Sequence, residues 1–427
     1  MWQRAFDEQK YEPASVRCTT EERRKRKLTF FALALGTFCF GTTEFATMGV
    51  VPLVARDLRL SVSDATSVVS AYATGVIVGG PLIVLGATGL NRRTLLLLLM
   101  TLFVAGNVLA SATTNLAMLS VARFLIGLPQ AAYVGAGVVV AVYIVGRKRA
   151  GRAFSVVMMG LTVAAIVGSP LSTLLGQTVG WRNAYLAIAA LGLASLAALW
   201  TWLPDSGALD GRGPSRDLPA LAKPRVWAVM TVAALGVGGI FSVYTFIGPF
   251  VTEAARLQAP FIPIAIGLVG VGMSIGNAVG GWLADTYRSR GVVIGFGTAL
   301  VVLWFLASNL ANPWALMLCL MGVGTTVMSA VPTIQVQLTR LAPEAPTLMG
   351  AMNFASLTVA SAIGAWAARL ATSGGRDLSL AVSAGFDLTL IGLALFLFVL
   401  ATRPLFQTRP AARGLEAERD PDAFETR

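Results

Sequence analysis

Apolar runs of about twenty or more residues recur along the chain, each closed by a short stretch of charged, Gly or Pro positions. A helix needs roughly 20 apolar residues to cross about 30 Å of hydrocarbon. The pattern predicts an all-α integral membrane protein of twelve spanning helices. They fall at 29–54, 65–90, 94–112, 116–145, 153–176, 183–203, 226–252, 261–286, 291–310, 313–340, 346–372 and 379–402. Polar positions inside the runs are few, and each one asks for a partner or a task.

The segments between the runs set the orientation. Arg23, Arg24, Lys25, Arg26 and Lys27 stand directly before the first run. Alternation puts them on one side with Arg92, Arg93, Arg147, Lys148, Arg149, Arg152, Arg212, Arg216, Lys223, Arg225, Arg288, Arg290 and Arg340. The other side carries Arg56, Arg59, Arg182, Arg256 and Arg376, with Arg369 close to it. Basic loops stay in the cytoplasm, so both termini are predicted to be cytoplasmic. The first run exceeds a signal-peptide core, so the basic tail is expected to be retained, where it meets the head groups of the lipid bilayer.

Composition agrees, with 56% of the 427 residues apolar and 13% charged, outside the range of soluble domains. The net charge of +12 lies in the inter-helix segments rather than on one soluble face, so no nucleic-acid partner is expected. Cys18, Cys39 and Cys319 are widely spaced and histidine is absent, which indicates no disulfide framework, no metal site and no cofactor. Proton chemistry falls to carboxylates. The chain has no GxxxxGK[ST] loop, GxSxG elbow or HExxH helix, so it is expected not to be an enzyme and to use the proton gradient as its energy source.

The one long internal polar stretch, 204–225, lies near the midpoint and divides the chain into an N-terminal tail (1–27), a six-helix bundle (28–203), a cytoplasmic linker, a second bundle (226–402) and a C-terminal tail (403–427). The halves resemble each other. Leu161 opens LTVAAIVG and Leu357 opens LTVASAIG, an offset of 196 (357 − 161). Pro52 and Pro249 head related segments at 197, and Gly86 and Gly281 at 195. Parallel repeats fit alternating access around a site between the halves.

Particular motifs carry a family resemblance over residues 28–402. FGTTEFATMGVVPLVARDL at 40–58 and ARFLIGLPQAAYVGAG at 122–137, with Arg123, Gly127 and Gln130, resemble the major facilitator superfamily. Within it they are similar to the drug:proton antiporter and sugar-efflux (arabinose efflux permease-like) branch. Gly168, Ser169 and Pro170, followed by Gly176 and Gly180-Trp181-Arg182, resemble that branch's exporter element. The loop element after span eight keeps Gly281, Asp285, Arg288 and Arg290. Its first-half copy departs, with Leu90 in place of the acid before Asn91, Arg92 and Arg93. The resemblance implies spans one and four lining a central cavity.

Ionisable residues inside a span default to functional hypotheses. Glu44 lies roughly 15 Å and Arg123 roughly 12 Å from the outer ends of their spans, so an ion pair broken by protonation of Glu44 is expected to couple protons to transport. The alternative is a permanent pair that locks two helices. Arg123, Gly127 and Gln130 share one helix face. Phe241 and Tyr244, Gln335, and Asn353 with Ser356 are expected to complete an aromatic and amide-lined pocket, although Asn and Gln also join helices by themselves. Asp285 is read as part of a charge clamp at the cytoplasmic face or as a simple helix-end charge. Asp387, about 10 Å into span twelve, takes part in transport or is solvated at the outer vestibule. Gly75 and Gly79, and Gly276 and Gly280, are read as packing positions, and Pro52, Pro129, Pro170, Pro249 and Pro332 as bends.

The function expected is proton-coupled efflux of a small organic solute, a drug-like amphipathic compound or a sugar, across a bacterial inner membrane. A single chain is expected to hold the whole pathway. Uptake of a small metabolite is the alternative within transporters. A non-transporting signalling or scaffold protein is the alternative outside them.

Overall fold

A computed structural model describes residues 20–402 apart from 61, 66, 88, 206–217, 259 and 373–376. Both distal tails, most of the linker and Arg376 lie outside the described residues. Among the described residues, twelve helices are long and apolar enough to cross a membrane. They are α1 (Thr20–Asp57), α2 (Ser67–Gly86), α3 (Arg92–Ser111), α4 (Leu116–Val145), α5 (Ala150–Val163, continued below), α6 (Trp181–Trp202), α7 (Pro224–Thr245), α8 (Phe261–Tyr287), α9 (Arg290–Ser308), α10 (Pro313–Leu341), α11 (Pro346–Thr372) and α12 (Ser379–Ala401). The start of α1 and the end of α12 lie at one end of the bundle, called here the terminal end, and the turns after α1 and α7 lie at the far end.

Local chemistry sets the ends. Asn91, Asn115 and Asn312 precede α3, α4 and α10 and accept from free amides of the first turn, so helices that begin at the membrane edge leave fewer donors unpaired. Gly146 and Gly180 take φ of 85° and 96°, which lets α4 stop and α6 start abruptly. α1 begins nine residues before the apolar run, because Glu21 and Lys25 pair at 2.9 Å one turn apart and the helix continues into water.

Two helices are interrupted. α5 passes through a π turn, Ala164–Gly168, before resuming as Ser169–Val179. Pro170 cannot donate to the carbonyl four residues back, and the looser register accommodates it. α7 gives way to a short turn, Ile247–Pro249, and a second π turn, Phe250–Ala254. Pro129 and Pro332 sit inside α4 and α10, which continue through them, as does Pro81 in α2.

The duplication is visible in how the helices cross. A Cβ at Gly75 would lie 2.3 Å from the carbonyl of Phe124, and one at Gly272 would lie 2.1 Å from that of Met321. Gly79 meets Leu128 as Gly276 meets Thr325, and Gly127 meets Tyr72 as Gly324 meets Val269. Each contact recurs 197 residues on (272 − 75). Bare backbone is therefore what α2 shows α4 and what α8 shows α10, the close approach that small residues permit in lipid.

Between the halves, contacts run from the terminal end to mid-membrane along two seams. On one, α5 meets α8: Ser155 Oγ donates to the Asn277 carbonyl at 2.6 Å, and Asn277 Nδ2 donates back to the Ser155 carbonyl at 2.7 Å. Deeper in, Ile166 of the π turn lies against Gly270. On the other, α4 meets α11, where a Cβ at Gly135 would stand 2.2 Å from the Thr347 carbonyl and one at Gly350 2.6 Å from Gly135 Cα.

Candidate functional site

The site starts from α1, which presents Thr43 and Glu44 to different neighbours because successive helical residues point about 100° apart. Thr43 meets Arg123 of α4, whose Nη1 donates to its carbonyl at 3.2 Å and to its Oγ1 at 3.3 Å. Asn107 of α3 completes this corner, with its Oδ1 3.2 Å from Thr43 Oγ1. Arg123 is fully buried and stacks over the Tyr72 ring of α2 at 4.2 Å. In so dry a place a cation–π contact is worth about 2 kcal/mol or more, against a desolvation cost of several. Its Nε and Nη2 have no hydrogen-bond partner.

Glu44 remains partly exposed and accepts from Gln130 Nε2 at 2.8 Å. Gln130 is sealed behind it, and its Oε1 accepts from the Tyr72 hydroxyl at 2.6 Å. Tyr72 reaches Gln130 and Arg123 together because Gly127 lets α2 approach α4. The four side chains form one chain: carboxylate, amide, phenol and, across the ring face, guanidinium.

The expected Glu44–Arg123 ion pair is not formed. With α1 extended to Asp57, Glu44 lies thirteen residues, about 20 Å, from the far end of its helix. Gln130 lies fourteen residues into α4, about 21 Å, and Arg123 only seven, about 10 Å. Depth matches Glu44 to the amide.

Tyr244 of α7 is partly exposed and within electrostatic range of the Glu44 carboxylate, so the second half faces this site. Phe241 is partly exposed and its Cβ also packs toward Gly364 of α11. Asn353 is fully buried with neither amide atom partnered, and Gln335 spends Nε2 on Thr339 at 3.2 Å while its Oε1 has no partner. Ser356 returns its hydroxyl to the Met352 carbonyl at 2.9 Å and has no proton to give a ligand.

The remaining predicted positions are divided among the α1–α5 packing, the α5–α8 seam and the exposed surface. Gly168 faces Thr42, where a Cβ would come within 2.2 Å of the hydroxyl oxygen, and Pro170 is exposed. Gly281 packs on Ser155. Asp285 accepts from the Gly151 amide at 2.8 Å and the Arg152 amide at 3.3 Å, with Arg152 Nε at 3.7 Å. These contacts join Asp285 to the start of α5 across the seam, where the helix dipole favours an anion. Arg288, with φ of 53°, and Arg290 are exposed and form no ion pair among the described residues. Asp387 lies on the outer face of α12 beside exposed Leu390 and Ile391, so it is not brought to the site. A cavity of about 410 Å³ at the far end, lined by Glu253, Ser308 and Asp377 among others, includes none of the Glu44 cluster.

Tyr72, Asn107, Ser155 and Asn277 were not singled out in the sequence. Asn107 and Asn277 are the amides within spans three and eight, which is a usable signal. Tyr72 stands three residues before Gly75, at the crossing of α2 with α4.

Comparison with known proteins gives the frame for this geometry. The inner membrane transport protein YdhP of Escherichia coli K12 is 37% identical over 374 residues, covering 87% of this chain and 95% of that protein. The chloramphenicol resistance protein of Streptomyces lividans is 33% identical over 342 residues, covering 79% and 87%. The crystal structure of the transporter FucP, in an outward conformation, superposes with a TM-score of 0.69 at 15% identity, covering 88% of this chain and 99% of FucP, and shows the shared fold. These relatives are transporters, not enzymes. With twelve spanning helices and an inner-membrane relative, the chain is a multi-pass inner-membrane protein. The model of the Major Facilitator Superfamily matches residues 33–365, and the chain belongs to that superfamily.

Proposed function

We propose that this protein exports small organic solutes in exchange for protons, with Glu44 as the proton site and both termini in the cytoplasm. The observation that carries the reading is a partly exposed intramembrane carboxylate held by Gln130, beside a buried guanidinium with two unspent edges. A buried guanidinium stays charged, so its free N–H groups favour an arrangement in which an anion or water reaches them. Glu44 is one such anion. A proton on Glu44 removes that charge, and the balance between the two arrangements then depends on which side supplies protons.

The solute is proposed to sit between Glu44 and the second half, against Phe241 and Tyr244, with Gln335 and Asn353 offering unspent amide groups. Aromatic faces with a few amides suit an amphipathic organic compound, and resistance to chloramphenicol is what the Streptomyces relative is named for. Ser356 supports α11 instead. With cytoplasmic termini, closure of the terminal-end seams corresponds to an outward-facing state, the half-cycle in which solute leaves and protons enter.

The test is proton flux in liposomes containing the purified protein, with an internal pH dye and imposed gradients of lipophilic cations, amphenicols, pentoses and nucleosides. Proton movement opposite to solute, lost in Glu44→Gln, is expected. Solute flux without proton movement, or proton coupling that survives in Glu44→Gln, overturns the assignment of Glu44. No saturable flux of any solute leaves a non-transporting role.

A further inference from the structure

Gln130 occupies an unusual place: a fully buried amide whose two ends are both spent on groups that can change what they offer. Its nitrogen donates to Glu44 Oε2 at 2.8 Å and its oxygen accepts from Tyr72 Oη at 2.6 Å. That orientation suits a carboxylate, which only accepts. A protonated carboxyl also has a proton to give, and the amide nitrogen facing it cannot take it. The amide oxygen can, after a half-turn about the last side-chain torsion.

The half-turn leaves every group satisfied. Glu44 then donates to Gln130 Oε1, and Gln130 Nε2 donates to the Tyr72 oxygen. The Tyr72 hydroxyl needs a new acceptor, and the Phe40 carbonyl already stands 3.5 Å from it. One proton is gained, at Glu44, and none is left stranded. In the first arrangement Tyr72 donates toward α4, and in the second it donates toward α1.

We propose that Gln130 reads the protonation state of Glu44 by turning its amide over and passes it to Tyr72, acting as a positioning residue that neither gains nor loses a proton. The proposal rests on Glu44 being the proton site. Its consequence lies in α2. Tyr72 carries the Arg123 guanidinium on its ring at 4.2 Å, and further along the same helix Gly80 lies against Ala351 of α11, with a Cβ–Cβ distance of 3.7 Å for an added Cβ. A change in the phenol's partner is thus delivered to a helix that touches the other half.

The titratable and charged groups that face Glu44 are Arg123 from α4, Tyr72 from α2 and Tyr244 from α7, with Tyr185 of α6 3.3 Å from Thr47 on α1. α3 and α5 carry titratable side chains only near their ends. Tyr72 is the phenol joined to Glu44 through Gln130, so the response is specific to one tyrosine.

The experiment is pH-difference infrared spectroscopy of the full-length protein in bilayers, with and without ring-deuterated tyrosine. Wild type is expected to show a protonated-carboxyl band, lost in Glu44→Gln, that rises together with a tyrosine band, lost in Tyr72→Phe. In Gln130→Met, which keeps the side-chain length and removes both hydrogen bonds, the carboxyl band persists and the tyrosine band disappears. The midpoint of proton-coupled transport against pH moves by about one pH unit in that variant, the size of one hydrogen bond to a charged group. A merely structural Gln130 would lower the rate at every pH and leave the midpoint in place. A tyrosine band that survives Gln130→Met, or a Glu44 band in wild type with no tyrosine response, overturns the amide switch alone. The absence of any Glu44 band overturns the proton site as well. The wild-type spectra decide these last two outcomes even where a variant fails to fold.

Discussion

The two halves share a packing frame and differ in what fills it. At the offset of 197, Thr43, Glu44, Tyr72, Arg123 and Gln130 correspond to Ile240, Phe241, Val269, Leu320 and Val327. Every member of the first half's polar cluster has an apolar counterpart, and all but Phe241 are buried. The glycine crossings that hold α2 to α4 and α8 to α10 are kept in both. The frame therefore asks only for small residues where backbones meet and tolerates either chemistry inside. A second buried guanidinium would add several kcal/mol of desolvation with no second carboxylate to use it. One half carries the charge, and the other supplies apolar packing and the aromatic face.

The sharpest test of that division is to give the first half the second half's residue. Arg123→Leu is expected to lose coupled transport by about 100-fold or more, the equivalent of roughly 2.7 kcal/mol in a barrier. The same variant should stay folded, within about 1 kcal/mol of wild type or above it, because apolar replacement of a buried charge is often neutral. Proton flux in liposomes and thermal unfolding in detergent read the two effects separately. Unfolding without a separable transport defect would make Arg123 a structural residue and dissolve the contrast between the halves.

The seams differ in the same way. The α4–α11 seam is bare backbone, and Gly135→Leu would drive a side chain into the Thr347 carbonyl. Overpacking costs about 1–3 kcal/mol, so the terminal end is expected to open in a population raised roughly 5- to 150-fold. The α5–α8 seam is polar, and Asp285→Asn removes a charge from the start of α5 while keeping an acceptor for the Gly151 amide. Loss of an anion at a helix start is worth about 0.3–1 kcal/mol, so that opening is expected to shift only a few-fold. Distances between spin labels at Lys148 and Tyr287, both exposed, measure both variants once the native cysteines are replaced. Equal shifts would remove the distinction between a steric seam and an electrostatic one.

Apolar run lengths carried most of the fold, and α4 and α11 begin and end where their runs do. α1 does not, because hydropathy marks lipid and says nothing of a helix that continues into water on Glu21 and Lys25. The opposite end of α1 also outruns its apolar run, to Asp57, and that error reached the site. Counting depth from residue 54 brought Glu44 level with Arg123, whereas the last turn to Asp57 moves it level with Gln130. Depth is legible in a sequence once helix ends are known, but the direction in which each residue points depends on how neighbours pack. Thr43 and Glu44 are adjacent and meet different residues of α4 two turns apart. Gln130 was named for its motif and its polarity, and its pairing with Tyr72 required the α2–α4 crossing at Gly127 to be seen.

The smallest expected effect concerns the far end of the first half, again without an equivalent ion pair among the described residues of the second. Asp57, at the end of α1, accepts from Arg182 Nη1 and from Trp181 Nε1, while Arg182 Nη2 donates to the Thr113 carbonyl at 3.0 Å and the guanidinium stacks on Trp181 at 4.2 Å. The cluster ties α1 and α6 to the turn after α3. The Arg182 hydrogen bond holds the Asp57 carboxyl below the ordinary carboxylate value of 3.8. A carboxyl depressed in the folded state contributes stability above its unfolded value and loses it as pH falls through the folded one. Both side chains are more than a third exposed, so solvent screening limits the pair to less than about 1 kcal/mol. Asp57→Asn is therefore expected to lower the unfolding midpoint slightly near neutral pH and to converge on wild type over roughly pH 5 to 2. Thermal scans of the two proteins across that range measure it. A difference that stayed constant down to the acid end would assign the effect to altered packing or hydrogen-bond geometry around Trp181 and Arg182, and the charge of Asp57 would then contribute nothing to holding the first half together.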